Sequence, residues 1–141
     1  MQQIDIQNAF LHGLLTKKVY MAQPPGFTHS SYPHHICKLN KAIYRLNQAH
    51  WAWFSRLTNK LISIGFTNSK ADSSLFLFKS NIVTIFILIY VDDIIITTSQ
   101  PLAISELLHL LCMDFAVKDF GNLHYFLGVK VTHLDPGLFL S

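Results

Sequence analysis

The feature that most constrains this chain is the run Ile82-Val-Thr-Ile-Phe-Ile-Leu-Ile-Tyr-Val91, which resumes at Ile94-Ile-Ile96 after two aspartates, Asp92 and Asp93. Read as a helix, it is the only window approaching the roughly 20 apolar residues that span a bilayer. Each carboxylate near the middle of a membrane would cost about 3 kcal/mol. The run is also rich in β-branched residues and bounded by turn formers. A buried strand is therefore expected, and no membrane partner.

The same pair carries the chemistry. Adjacent carboxylates in apolar surroundings repel one another, and burial further disfavours their ionised forms. A divalent cation reverses that balance by rewarding clustered anionic oxygens. If Tyr90 to Ile94 forms the tip of a hairpin, both side chains project from its end toward one site, whereas strand alternation would send them to opposite faces. The alternative is an ordinary polar tip, since aspartate is a common turn residue. Asp5 adds a third carboxylate at the end of a first strand, and it converges with the pair if that strand lies beside the hairpin. Three carboxylates suit two Mg²⁺ ions clamping the attacking and leaving oxygens of a phosphoryl transfer.

Composition narrows the class. The chain has 141 residues, half of them hydrophobic, which fits a single domain over 1–141 with a substantial core and excludes disorder. A formal charge of +3 with eight histidines is only mildly basic. That is compatible with holding nucleic acid but short of a self-sufficient binder, which neutralises more phosphates. Cys37 and Cys112 lie far apart and form no CxxC pair, as expected of reduced intracellular thiols. No signal peptide is expected, because Asp5 interrupts the first apolar residues and no basic leader precedes them.

Along the chain, Gln2 to Ile6 reads as the end of a strand and Asn8 to Gly13 as a short helical turn. Val19 to Met21 is a short strand that Gln23-Pro-Pro-Gly26 stops. A strand from Ile36 to Leu39 leads toward a helix over Gln48 to Ile64, with Trp53, Leu57, Leu61 and Ile64 on one face and Gly65 as terminator. Leu75–Lys79 and Ile82–Tyr90 read as antiparallel strands joined at Ser80-Asn81. A second helix follows Pro101, its inner face formed by Ile104, Leu107, Leu108, Leu111 and Phe115. Leu123 to Val131 is strand-like, and Asp135-Pro-Gly137 turns the chain back to Leu138-Phe-Leu140. The fold class is α+β, an antiparallel sheet with helices over one face.

Five segments in order then resemble a known family. Ile4-Asp-Ile-Gln-Asn-Ala-Phe-Leu-His-Gly13 looks like the first polymerase motif of copia-type retrotransposon reverse transcriptases. Val19-Tyr-Met21 with Gln23-Pro-Pro-Gly-Phe27, then Lys38-Leu-Asn-Lys-Ala-Ile-Tyr44, resemble the segments that follow in that family. Tyr90-Val-Asp-Asp93 is similar to its signature box, and Leu123-His-Tyr-Phe-Leu-Gly128 to its next block. The resemblance implies a polymerase palm whose activity is RNA-directed DNA synthesis. Asp5, Asp92 and Asp93 are then the catalytic and metal-binding residues for two Mg²⁺ ions, with Mn²⁺ as a substitute. The ions would lower the pKa of a primer 3′-hydroxyl and offset triphosphate charge.

The resemblance also implies nucleotide-binding roles. Phe10 takes the position of an aromatic gate against the ribose 2′-hydroxyl, with a core phenylalanine as the plain alternative. Gln48 would sit beside nucleotide and template, or else cap its helix. Lys118, in Phe115-Ala-Val-Lys-Asp-Phe-Gly121, would protonate departing pyrophosphate, or else be a solvated lysine. Phe126, Leu127 and Gly128 resemble the primer-grip strand, where glycine lets backbone approach primer; a core strand ending in a turn is the alternative.

The implied partners are an RNA or DNA template with primer and dNTP, and the remaining Pol regions. The implied location is the cytoplasm, within a virus-like particle for an intact element.

One segment departs from the family. Tyr44-Arg-Leu-Asn-Gln-Ala-His-Trp-Ala-Trp53 stands where the family has Tyr-Gly-Leu-Lys-Gln-Ala-Pro-Arg-Ala-Trp. Arg45 replaces a glycine, Asn47 a lysine, His50 a proline and Trp51 an arginine, as relaxed constraint would allow. The chain begins four residues before Asp5, so Met1 reads as an internal methionine, and the palm as incomplete at both ends. Fingers are expected upstream, with thumb and RNase H downstream. The alternative function is a degenerate, non-catalytic fragment that keeps only the fold.

Overall fold

A computed structural model describes residues 1–43, 46, 48–135 and 137–141. In chain order they form β1 (Gln2–Ile6), a 3-10 helix (Ala9–His12), β2 (Leu14–Ala22), β3 (Ile36–Lys41), α1 (Ala49–Ser63) and β4 (Thr67–Asn68). There follow β5 (Leu75–Lys79), β6 (Thr84–Tyr90), β7 (Asp93–Thr98), α2 (Leu102–Cys112), β8 (Val117–Asn122), β9 (Tyr125–Phe126), β10 (Val129–Leu134) and β11 (Gly137–Leu140). Antiparallel sheets with two α-helices make this an α+β arrangement. The residues group into two compact units, 1–7 with 60–141, and 8–59.

The larger unit is built on a six-stranded antiparallel sheet of order β4-β5-β6-β7-β1-β8. The apolar run of the sequence becomes β6, a two-residue turn at Val91-Asp92, and β7, with Ile89 opposite Ile94 and Tyr90 opposite Asp93. Ile94, Ile95 and Ile96 are all buried, because the strand is covered on both faces and has no reason to alternate. On one face α2 packs against β7 and β8, contributing the buried Leu107 and Leu111. On the other, Ile95 clusters with Leu123 and Val131, flanked by Leu88 and Phe126. Burying an aliphatic side chain of this size contributes about 1.5–3 kcal/mol. Among the described residues, no helix is long and apolar enough to cross a membrane.

Gly65 ends α1 in the manner expected of it. Its φ is +101°, its N–H donates to the Ile62 carbonyl at 3.0 Å, and the Phe66 N–H donates to Leu61 at 3.0 Å. That is the paired geometry of a Schellman cap, with Leu61 and Phe66 both buried beside it.

In the smaller unit, β2 and β3 form an antiparallel ribbon with Tyr20 opposite Lys38 and Met21 opposite Cys37. Gly13 precedes this ribbon where α1 runs close by. A Cβ there would stand 2.8 Å from the Ala52 Cβ and 2.9 Å from the Trp53 nitrogen. Arg56 Nη1 donates to the His12 carbonyl at 2.8 Å, tying helix to turn. The expected helix face is sound: Trp53 and Leu57 are fully buried.

Three segments differ from the sequence reading. The strand expected at Val19–Met21 is the end of a longer β2, whose pairing with β3 is irregular between Leu14 and Val19. The strand expected over Leu123–Val131 is broken at Leu127-Gly128, where φ is +50° and +82°. Val129 pairs back with Phe126, so the segment is a tight hairpin of the kind that requires two left-handed residues. Finally, Val117–Asn122 is a strand, β8, at the edge of the main sheet beside β1.

Candidate active site

β1 lies between β7 and β8, and the registers on its two sides align four side chains in one row. Asp5 stands opposite Asp93 of β7 and opposite Lys118 of β8; Asp93 in turn stands opposite Tyr90. Residues paired across antiparallel strands project to the same face, so Tyr90, Asp93, Asp5 and Lys118 share a face. Strand alternation puts this row on the face of Ile95 and opposite to that of Ile94 and Ile96. Asp5, Asp92 and Asp93 are each partly buried and Lys118 is exposed.

The electrostatics follow from this row. The Asp5 carboxyl is pushed above the usual carboxylate range, first by burial and then by the Asp93 charge; Lys118 and the Ile6 N–H pull it back. The Gln3 side-chain amide, two residues earlier on the same strand face, donates to Asp93 Oδ1 at 3.2 Å. Lys118 Nζ also sits 4.9 Å from the centre of the Phe120 ring, a cation–π contact.

Asp92 occupies the hairpin turn. The residue before it, Val91, has φ +55°, a conformation that costs a β-branched residue about 1–2 kcal/mol. The Asp92 carbonyl accepts a 3.4 Å hydrogen bond from the Ile6 N–H, fastening the turn to the end of β1. The structure thus pairs Asp5 with Asp93 and keeps Asp92 adjacent in sequence. Among the described residues, no three His, Cys, Asp or Glu side chains are gathered tightly enough to hold a metal ion. The donors nonetheless suit a hard divalent cation: they are all carboxylate oxygens, and the Asp93 charge already disfavours ionisation of Asp5.

Phe126, Leu127 and Gly128 belong to the same unit. The Phe126 ring meets Tyr90 edge-on, with centroids 6.1 Å apart, so the β9–β10 hairpin reaches the end of the carboxylate row. Leu127 and Gly128 form its turn.

Phe10 and Gln48 lie in the other unit. Phe10 is half-buried in the 3-10 helix, and its carbonyl accepts from the Gly13 N–H at 3.1 Å. Gln48 lines an open cavity of about 400 Å³ with Trp51, Arg56 and Asn59. Of the four departures in this segment, Arg45 and Asn47 lie outside the described residues. His50 and Trp51 are exposed in the first turn of α1, with the His50 ring parallel to Phe54 at 6.5 Å.

Gln3 and Tyr90 are the neighbours of the carboxylates that motif reading passes over as site residues. Gln3 was detectable through its i, i+2 spacing from Asp5 on a strand. Tyr90 was detectable only by placing it opposite Asp93.

A family model described as reverse transcriptase (RNA-dependent DNA polymerase) matches residues 1–141. The chain is 47% identical over 140 residues to the retrovirus-related Pol polyprotein from transposon RE1 of Arabidopsis thaliana, covering 99% of this chain and 10% of that protein. It is 45% identical over 140 residues to the corresponding polyprotein from transposon RE2 of the same plant, with the same coverage of 99% and 10%. Against the polyprotein from transposon TNT 1-94 of Nicotiana tabacum it is 35% identical over 133 residues, covering 93% and 10%. The chain therefore spans about a tenth of the length of these relatives. No solved structure matches it. By the family match over its whole length and by these relatives, the chain belongs to the reverse transcriptase (RNA-dependent DNA polymerase) family of copia-type retrotransposons.

Proposed function

We propose that this chain is the palm of an RNA-directed DNA polymerase and that Asp5, Asp92 and Asp93 are its catalytic carboxylates. The observation that carries the reading is the Asp5–Asp93 pairing at the mouth of a hairpin whose turn holds Asp92. Sequence separates Asp5 from the other two by more than 80 residues, yet the sheet puts β1 beside the hairpin.

Asp5 and Asp93 would anchor divalent metal, and Asp92 supplies the third carboxylate from the turn. Two Mg²⁺ ions, when bound, neutralise triphosphate charge and acidify the primer hydroxyl. Other residues have separate tasks. Gln3 holds the Asp93 carboxylate in orientation through its amide. Lys118, opposite Asp5, offers a proton and a positive charge to the leaving pyrophosphate. Phe126, Leu127 and Gly128 present a tight, exposed turn to the primer. Phe10 discriminates against a 2′-hydroxyl, and Gln48 contacts nucleotide and template as a neutral amide.

In the intact element the chain works with the other Pol regions (fingers, thumb and RNase H) on an RNA or DNA template with primer and dNTP, in a cytoplasmic virus-like particle. The test is primer extension on an RNA template, with the chain alone and within its longer polyprotein. Mg²⁺-dependent extension abolished by Asp92→Asn supports the reading. Extension that survives loss of both Asp5 and Asp92 overturns it.

A further inference from the structure

The formal charge of +3 conceals a strong segregation. Residues 8–59, which form the smaller unit, contain Lys17, Lys18, Lys38, Lys41, Arg45 and Arg56 and no aspartate or glutamate. All eight carboxylate side chains of the chain lie in the larger unit. No ammonium of the β2–β3 ribbon therefore has a carboxylate side chain within its own unit to neutralise it.

Lys18 and Lys38 lie on one side of the ribbon. Val19, Met21, Cys37 and Leu39 are partly buried, whereas Lys18, Tyr20, Lys38 and Asn40 are exposed. Tyr20 stands directly opposite Lys38, and alternation puts Lys18 and Asn40 on their face. The irregular pairing between Leu14 and Val19 leaves consecutive Lys17 and Lys18 both exposed. At that irregularity Thr16, Lys17, Lys18, Lys38 and Asn40 line a shallow concavity of about 200 Å³. Ammonium groups around a concavity, with hydroxyl and amide donors beside them, match the oxygens of a phosphodiester. A half-exposed tyrosine between lysines offers a face on which an unpaired base stacks. A concave site suits a strand of phosphates better than the plane of a lipid surface.

We propose that the exposed face of the β2–β3 ribbon, centred on Lys17, Lys18, Tyr20 and Lys38, binds the sugar–phosphate backbone of single-stranded nucleic acid. It takes from the polymerase reading only that the polyanion is a nucleic acid, and it is separable by experiment.

The test measures anisotropy of a fluorescein-labelled 20-nucleotide RNA with the full chain, in EDTA and without dNTP, across a salt series. Each phosphate contact on a single strand contributes about 0.7 to the slope of log affinity against log salt. The triple change of Lys17, Lys18 and Lys38 to Gln is expected to flatten the slope by about 2 and to weaken low-salt binding at least tenfold. The same three positions changed to Arg should retain it, and Lys70, Lys79 and Lys130 changed to Gln should leave it unaltered. Tyr20→Ala should weaken binding with the slope unchanged. Unaltered affinity and slope in the Gln triple variant would overturn the proposal. So would lysine-dependent binding to phosphatidylserine vesicles with no binding to RNA. Lysine-dependent binding without polymerase activity leaves this inference standing while the catalytic reading falls.

Discussion

Asp5 and Asp93 face one another across the β1–β7 register, and Lys118 stands opposite Asp5 on the far side of the same strand. Two carboxylates and an ammonium thus share one row of the sheet. Burial and the Asp93 charge together hold the Asp5 carboxyl above its usual range.

This upward shift has a definite consequence for pH dependence. Between the ordinary carboxylate range and the raised Asp5 value, the native state binds more protons than the unfolded chain. Stability contributed by this group is full below that window, falls as pH rises through it, and is level above. Asp5→Asn should abolish the decline, and Asp93→Asn should shrink it by lowering the Asp5 value. Urea unfolding at a series of pH values, with carboxyl titration by NMR, checks both. An unchanged profile in Asp93→Asn would show that the two groups do not interact.

Gly65→Ala is expected to destabilise the chain by about 1–2 kcal/mol, the cost of a left-handed conformation in a residue with a Cβ. The added carbon would also stand 3.1 Å from the Phe78 ring. The midpoint of urea unfolding should fall with its slope unchanged.

Gly13→Ala tests a different device, close approach rather than conformation. Its new methyl would meet the backbone of α1 at Trp53 as well as the Ala52 side chain, and backbone cannot swing aside as a flexible side chain does. A loss of about 1–3 kcal/mol follows, typical of overpacking, and is read from thermal or urea denaturation.

At the hairpin turn the expectation has the opposite sign. Val91 at φ +55° carries strain that glycine does not, so Val91→Gly should stabilise the fold by about 1 kcal/mol, net of the extra backbone entropy of glycine. A decrease in unfolding midpoint would mean that Val91 packing outweighs the strain.

The sequence made one half of this architecture legible. Periodic apolar residues located α1 and α2, and the run around Asp92-Asp93 read as a strand hairpin because β-branched residues, length and breakers all agree there. β8 stayed hidden because Val117-Lys-Asp-Phe-Gly-Asn122 is an edge strand, mostly exposed, without the alternation that burial on one face imposes. The turn at Leu127-Gly128 was masked by leucine in a left-handed position, inside what otherwise reads as one strand. Candidate site residues near in sequence, Asp92 and Asp93, were visible as a pair. The neighbours of Asp5 depend on strand order: only the insertion of β1 between β7 and β8 puts Asp93 and Lys118 on either side of it, and no local pattern encodes that.

Whether Asp5, Asp92 and Asp93 form a divalent-metal site is decided by Mn²⁺ titration of the full chain followed by electron paramagnetic resonance. The expected result is saturable binding that Mg²⁺ displaces and that Asp5→Asn, Asp92→Asn and Asp93→Asn each weaken. Mn²⁺ binding that all three variants retain at wild-type strength, or no saturable binding at all, would contradict it.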